Sequence, residues 1–330
     1  MRGRMSLRAA VRTPAFPPRP ATGHVPRALG QVLLLVFAGG LALAAAQDLP
    51  PAPSAASFAM QDRPLPRSAL FAPANLLAWC IVPYDNQHRA PVQRMEMLKR
   101  LGFTQYVWDW RQQHLQDLPL EIEAAQAAGI RLRGLWIWID ARNDRVGRLG
   151  DSNRAVFDAV NRAGRPVEFW VGFHANAFPD DTDEARVARG VAWVSYLRDE
   201  ARATGSSISL YNHGDWFGEP ENQLKIIAAA GPSGLGLTYN FHHAHPQISR
   251  FATLLPAMLP HLKAVVLNGM KPEGPKILPI GEGTHERAMI RLLAASGYRG
   301  PIGILGHVDD ADVETVLQRN LTGLRQLIAP

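Results

Sequence analysis

"LRGLWIWI" (132–139) leads through a polar stretch into "SNRAVFDAVNRAG" (152–164), and that segment is followed by a second apolar run, "VEFWVGF" (167–173). A short run dense in branched and aromatic residues reads as a strand buried on both faces. The intervening segment has its apolar residues at helical spacing and ends on Gly164, the residue that most easily closes a helix. The stretch is therefore a strand, a helix and a second strand, and the rest of the chain can be tested for repeats of that unit.

Moving outward, the same alternation recurs. Further strand-like runs are "LLAWCIV" (76–82), "TQYVWDW" (104–110), "SISLYN" (207–212), "LGLTYNF" (235–241), "LKAVVLN" (262–268) and "PIGIL" (301–305). Helical patterns lie between them. "PVQRMEMLKRLG" has Pro91 at a first-turn position and Gly102 at its end, and the last helix sets Val313, Val316, Leu317, Leu321 and Leu324 on one face. Eight strand–helix units predict a (β/α)8 TIM barrel, a single domain over 71–330. A doubly wound open sheet is the alternative, but no Gly-rich phosphate loop follows the first strand as a dinucleotide fold requires.

Ahead of the barrel, residues 1–46 carry six arginines and no acid, then an apolar run from Val32 to Ala46 that ends in small residues. That is the pattern of a signal peptide cleaved after Ala46, with Met5 or a later codon as an alternative start. The run is shorter than the roughly 20 residues of a spanning helix, which disfavours a retained anchor. Residues 47–70, rich in Pro, Ala and Ser, read as a flexible linker. The whole chain has 35 Lys and Arg against 29 Asp and Glu; without the leader the balance is 29 to 29. A neutral mature chain gives no support for nucleic-acid binding. Cys80 stands alone, so no intramolecular disulfide forms even though export would permit one. The expected protein is periplasmic or extracellular, with no stable membrane insertion.

Active sites of such barrels form at the carboxyl ends of the strands. Those ends carry Asp85, Asp109, Arg111, His174, Asn212, His213, Asn240, His243, Asn268, Lys271 and His307. Arg111 would grip a carboxylate, a phosphate or a sugar hydroxyl, or else pair with Asp109 as a strut. Asp85 and Glu282 are carboxylates suited to acid/base work, or to capping helices and binding loop amides. "YNFHHAH" (239–245) places His242, His243 and His245 together. Adjacent residues on an extended strand point to opposite sides, so His242 and His243 cannot both face one site without a turn. Trp79, Trp108, Trp110, Trp136, Trp138, Tyr211 and Trp216 supply apolar faces, mostly core, with stacking platforms for sugar rings near the mouth.

Four segments resemble one family. "YNHG" (211–214) is similar to a Glu-Asn-His after strand five, and "NFHH" (240–243) to an Asp-x-x-His after strand six. "IGEG" (280–283) is similar to a Gly-x-Gly before the seventh helix, and "GYRGPIGIL" (297–305) to a Gly-Tyr-x-Gly leading to a Glu on strand eight. From Leu76 to Leu327 the chain resembles the xylose isomerase-like TIM barrels, the sugar phosphate isomerase and epimerase superfamily. The resemblance implies a divalent metal held by strand-end carboxylates and histidines, with two Glu residues moving the proton. This chain departs from it at the ligands: Tyr211, Asn240 and Leu305 stand at carboxylate positions, the strand-seven His has no clear counterpart, and His243 alone is retained. Neutral donors do not suit Mg²⁺ or Mn²⁺; His213, His243 and His307 would instead suit Zn²⁺ or another late transition metal, and a metal-free site is the alternative.

The expected function is that of an exported carbohydrate-active enzyme of the isomerase or epimerase type, with divergence to lyase or hydrolase chemistry as an alternative. In that reading His213, His243, His307 and Glu282 move the proton, while Asp85, Asp109, Arg111, His174, Asn212, Asn240, Asn268 and Lys271 hold the sugar. The competing reading is a barrel without catalysis that binds sugar or serves as a structural partner.

Overall fold

The computed structural model describes residues 69–179 and 182–328. The leader at 1–46 and nearly all of the 47–70 linker lie outside the described residues, and no described helix is long and apolar enough to cross a membrane.

Eight strands form one closed parallel barrel in chain order: β1 (Leu76–Trp79), β2 (Gln105–Trp108), β3 (Arg131–Ile139), β4 (Glu168–Phe173), β5 (Ser207–Tyr211), β6 (Leu235–Asn240), β7 (Leu262–Leu267) and β8 (Ile302–Leu305). Closure is direct, with Leu76 opposite Ile302 and Trp79 opposite Leu305. The helices are α1 (Pro91–Arg100), α2 (Leu118–Ala128), α3 (Asp151–Ala163), α4 (Asp183–Ala201), the single turn α5 (Asp215–Gly218), α6 (Pro220–Ala230), α7 (Phe251–Met258), α8 (Glu286–Ala295) and α9 (Val313–Ile328). Each predicted strand is present. Where the apolar runs are longer than the strands, the backbone has turned: β1 stops at Trp79 because Cys80 takes φ +58°.

Alternation along the strands separates two cores. Leu77, Trp79, Val107, Trp170, Tyr211, Ala264, Val266 and Leu305 point inward and fill the barrel. Ala78, Tyr106, Trp108, Phe169 and Val171 point outward, beneath the helices. The inner core is aromatic at its upper end: the Trp79 and Trp170 rings lie 4.9 Å apart, and Trp170 stacks on Tyr211 at 6.0 Å. That plug sets the floor of whatever site the mouth contains.

On α9, Val313, Leu317, Leu321 and Leu324 are buried as the pattern predicts, and Val316 is half-buried. The helix also packs its backbone against the loop after β7. A Cβ on Gly323 would lie 1.7 Å from the Ile280 carbonyl oxygen, a backbone atom that cannot swing away. Gly323→Ala is therefore expected to destabilise the fold by about 1–3 kcal/mol through overpacking, read as a lower urea midpoint with an unchanged slope.

Candidate functional site

A cavity of about 90 Å³ opens at the carboxyl ends of the strands. Its floor is Tyr211, whose hydroxyl accepts hydrogen bonds from Trp79 Nε1 at 3.1 Å and Asn240 Nδ2 at 2.5 Å. Asn212 fixes this floor from behind: its Oδ1 accepts from the Asn240 backbone N–H at 2.7 Å and its Nδ2 donates to the Asn240 carbonyl at 3.1 Å. The result is a rigid, neutral bed.

One wall is Asp109 and Arg111, just past β2. Asp109 Oδ1 accepts from the backbone N–H groups of Ile81 and Val82 at 3.2 and 3.3 Å, whereas its buried Oδ2 has no hydrogen-bond partner. Burial pushes its carboxyl up to about 6, although the Arg111 charge and the backbone donors pull the other way. Arg111 does not form the strut with Asp109: its guanidinium donates to the Tyr84 hydroxyl at 2.7 Å and to the Trp110 carbonyl at 2.8 Å. It lies over the Tyr84 and Trp136 rings at 5.4 and 5.7 Å. Tyr84 in turn lies against His307, with ring centroids 3.6 Å apart.

The opposite wall is histidine. β6 ends at Asn240, and a 3₁₀ turn over Phe241–His243 begins there, with Asn240 Oδ1 accepting from the His242 N–H. That turn is what lets both His242 and His243 line the cavity. The rings run in a chain: His213 to His243 at 4.3 Å, His243 to His242 at 4.4 Å, His242 to His307 at 5.1 Å. Burial holds all four below the ordinary imidazole range, His242 down to about 4 and His307 to about 3. The folded state therefore binds fewer protons than the unfolded chain below pH 6.5, so these groups cost stability as the pH falls from 6.5 toward 4. In imidazole NMR titrations, the His242 and His307 resonances are expected to stay unshifted between pH 8 and 6.

With this geometry in hand, the likeness to known structures can be placed. No protein-family model matches the chain, and no curated protein matches it. Solved structures do. The D-allulose 3-epimerase from Methylomonas sp. superposes with TM-score 0.59 at 15% identity, over 77% of this chain and 98% of that one. The 3-keto-D-glucoside 4-epimerase from E. coli gives 0.56 at 15%, over 77% and 99%. A xylose isomerase domain protein from Alicyclobacillus acidocaldarius gives 0.52 at 16%, over 78% and 98%. The fold is that of the xylose isomerase-like barrels. At these identities the likeness is one of fold.

Within that barrel, six of the candidate residues meet at one cavity: Asp109, Arg111, His213, Asn240, His243 and His307. The others do not line it. Glu282 is exposed and pairs with Arg319 on α9, which removes it from the proton-moving set. Asp85 is buried and organises the loop after β1, bonding Arg89 Nη1 at 2.6 Å and the Gln87 and Arg89 N–H groups. His174 caps its own turn through Asn176, and Asn212 serves the β5–β6 backbone. Asn268 donates to the Gly269 and Lys276 carbonyls, and Lys271 is exposed. Lys276 is the lysine whose charge reaches His242 and His243.

A divalent metal fits this donor set poorly. Among the described residues, no group of three or more His, Cys, Asp or Glu side chains is arranged to hold one. Of the proposed ligands His213, His243 and His307, the first two are neighbours, while His307 sits beyond His242 against Tyr84. The positions at which the resemblance to that family expects carboxylates hold Tyr211, Asn240 and Leu305, all uncharged.

Three contributors were not singled out by sequence: Tyr84, Cys80 and the floor role of Trp79 with Tyr211. Tyr84 sits in "VPYDNQH" directly after the first strand, and that position at a strand's carboxyl end was the available signal.

Proposed function

We propose that the strand-end pocket performs proton transfer on a saccharide next to its carbonyl, a sugar isomerase or epimerase type of reaction, with Asp109 as proton carrier. The observation that carries this reading is the free Oδ2 of a buried carboxylate, anchored through its other oxygen and set beside a guanidinium at the mouth of the barrel. Support also comes from the structural neighbours, among them a D-allulose 3-epimerase and a 3-keto-D-glucoside 4-epimerase.

The chemistry balances within the substrate. The C–H pair of electrons becomes the enediolate π bond as the proton moves to Asp109 Oδ2, and the carbonyl π pair moves onto oxygen. Arg111 and the neutral imidazoles of His213 and His243 donate to that oxygen, and the proton then returns to carbon. A single carboxylate reaches one face of the planar intermediate. Return to the neighbouring carbon is isomerisation: the enediolate π pair takes the proton from Asp109, and the O–H pair of the adjacent hydroxyl becomes the new carbonyl π bond. That hydroxyl proton passes through the His243 imidazole to the oxyanion; inversion would need a second proton donor on the far face. This assigns the base to a carboxylate, and leaves histidine to orient hydroxyls and bind the oxyanion. No step is assigned to a metal.

The test is incubation of the chain with a panel of aldoses and ketoses in D₂O, followed by proton NMR. Deuterium wash-in at the carbon beside the carbonyl is expected for at least one sugar. Binding without wash-in would instead favour the sugar-binding barrel without catalysis, a reading supported by the uncharged Tyr211, Asn240 and Leu305. Export is part of the proposal and rests on the 1–46 leader: amino-terminal sequencing of the mature protein should begin near Gln47.

A further inference from the structure

The inner cavity is too small for a whole sugar. At about 90 Å³ it offers the space of about three waters, whereas a hexose has about twelve heavy atoms. Beside it lies a second cleft of about 810 Å³, between the ends of β2 and β3, the 140–150 loop and the first turn of α3. Arg111 and Trp136 border both spaces, so the cleft and the inner cavity abut along one wall.

The large cleft is a built site. Asp144 organises its loop, accepting from the Asp140 N–H at 3.0 Å, the Gly150 N–H at 2.8 Å and Asn153 Nδ2 at 3.0 Å. The indoles of Trp110, Trp136 and Trp138 give it flat apolar faces. Gly172 lets the Trp138 ring lie close, since a Cβ there would come within 2.9 Å of that indole. Two buried polar atoms at the cleft lack partners: the Trp136 Nε1 donor and the Oδ1 acceptor of Asn153, a residue 3% exposed. Indole faces beside a free donor and a free acceptor suit a ring that has C–H faces and an equatorial belt of hydroxyls. The charges cancel, with Arg111, Arg142 and Arg148 against Asp140, Asp144 and Asp151. A neutral ligand fits that balance better than an acidic one.

We infer that the substrate is a neutral glycoside of at least two sugar units, whose reacting end enters the inner cavity while the next ring lies on the tryptophans of the β2–β3 cleft. This rests on the saccharide reading above and extends it from a monosaccharide to a glycoside.

The test is equilibrium binding, read by intrinsic tryptophan fluorescence and calorimetry on the full chain. The probes are the reducing disaccharides maltose, cellobiose and lactose against glucose and galactose. At least one disaccharide is expected to bind about tenfold or more tighter than either of its component sugars. That ratio should fall to about one in Trp138→Ala and in Arg148→Ala, the latter an exposed position whose replacement leaves the fold intact. No disaccharide preference, or a preference that survives both substitutions, overturns the inference, as does stronger binding of a uronate disaccharide. Monosaccharide wash-in without disaccharide preference sinks this inference and keeps the proton-transfer reading. Disaccharide preference without any wash-in does the reverse.

Discussion

Asp109→Asn is expected to lower the rate of deuterium wash-in by about 10²–10⁴-fold, the usual worth of a positioned general base. It should do so while making the folded chain more stable at neutral pH. The carboxyl titrates near 6 in the folded protein against its ordinary 3.8, a rise caused chiefly by burial. A raised carboxylate pKa means that the folded state binds more protons than the unfolded chain between those two values, so stability falls as the pH rises through that window. The difference, 6 minus 3.8, is on the order of 3 kcal/mol at pH 7. Asparagine keeps an oxygen for the Ile81 and Val82 N–H groups and removes the charge. Denaturant midpoints of the two proteins should coincide near pH 3.5 and diverge toward pH 7, with the variant higher. The neutral histidines impose the opposite slope in an overlapping range, but they are common to both proteins and cancel in the difference. On the wild-type side, the acid limb of the activity profile should have its midpoint near 6, because the base must be ionised to accept a proton. An asparagine variant with full activity would remove Asp109 from the mechanism.

The barrel was legible because its signal is repeated: eight apolar runs, each followed by helical spacing, leave little freedom in topology. Strand-end position also brings Asp109, Asn240 and His213 to one cavity, where each follows directly from its strand. It failed where a loop bends back on itself. Asp85 and Glu282 bear the same charge as Asp109, but Arg89 pairs with the first and Arg319 with the second, and strand-end position alone does not show it. The first pairing is local, four residues apart around a turn, and the second is tertiary, spanning 37 residues. His242 depended on a turn that strand periodicity does not specify: an extended backbone would turn it away, and the 3₁₀ turn starting at Asn240 does not. The free Oδ2 of Asp109 is a property of what surrounds it, so the sequence nominates the residue as a sugar contact and not as the base proposed above.

Trp79→Ala is expected to cost about 3–5 kcal/mol of stability, the range for deleting a buried large aromatic side chain. Trp79 is 2% exposed, packs on Trp170 at 4.9 Å and on Tyr211 at 5.8 Å, and donates to the Tyr211 hydroxyl. Equilibrium urea unfolding would measure the loss; one below about 1 kcal/mol would mean that the barrel interior relaxes to fill the gap. The size of this term bears on why the site looks as it does. In the family it resembles, a carboxylate at position 211 would need a cation or donors in place of these indoles. Here the Trp79, Trp170 and Tyr211 rings occupy that space, and burial among them already pushes the Tyr211 hydroxyl far above its ordinary range. The same surroundings would hold a glutamate at 211 protonated, a form that binds no divalent ion. Tyr211→Glu alone should therefore destabilise the fold without conferring Mn²⁺ binding by calorimetry. Recovering a metal would require removing Trp79 as well, at the cost in stability given above. The aromatic plug and the uncharged strand ends are one structural solution, and within it Asp109 is the buried carboxylate that lines the inner cavity.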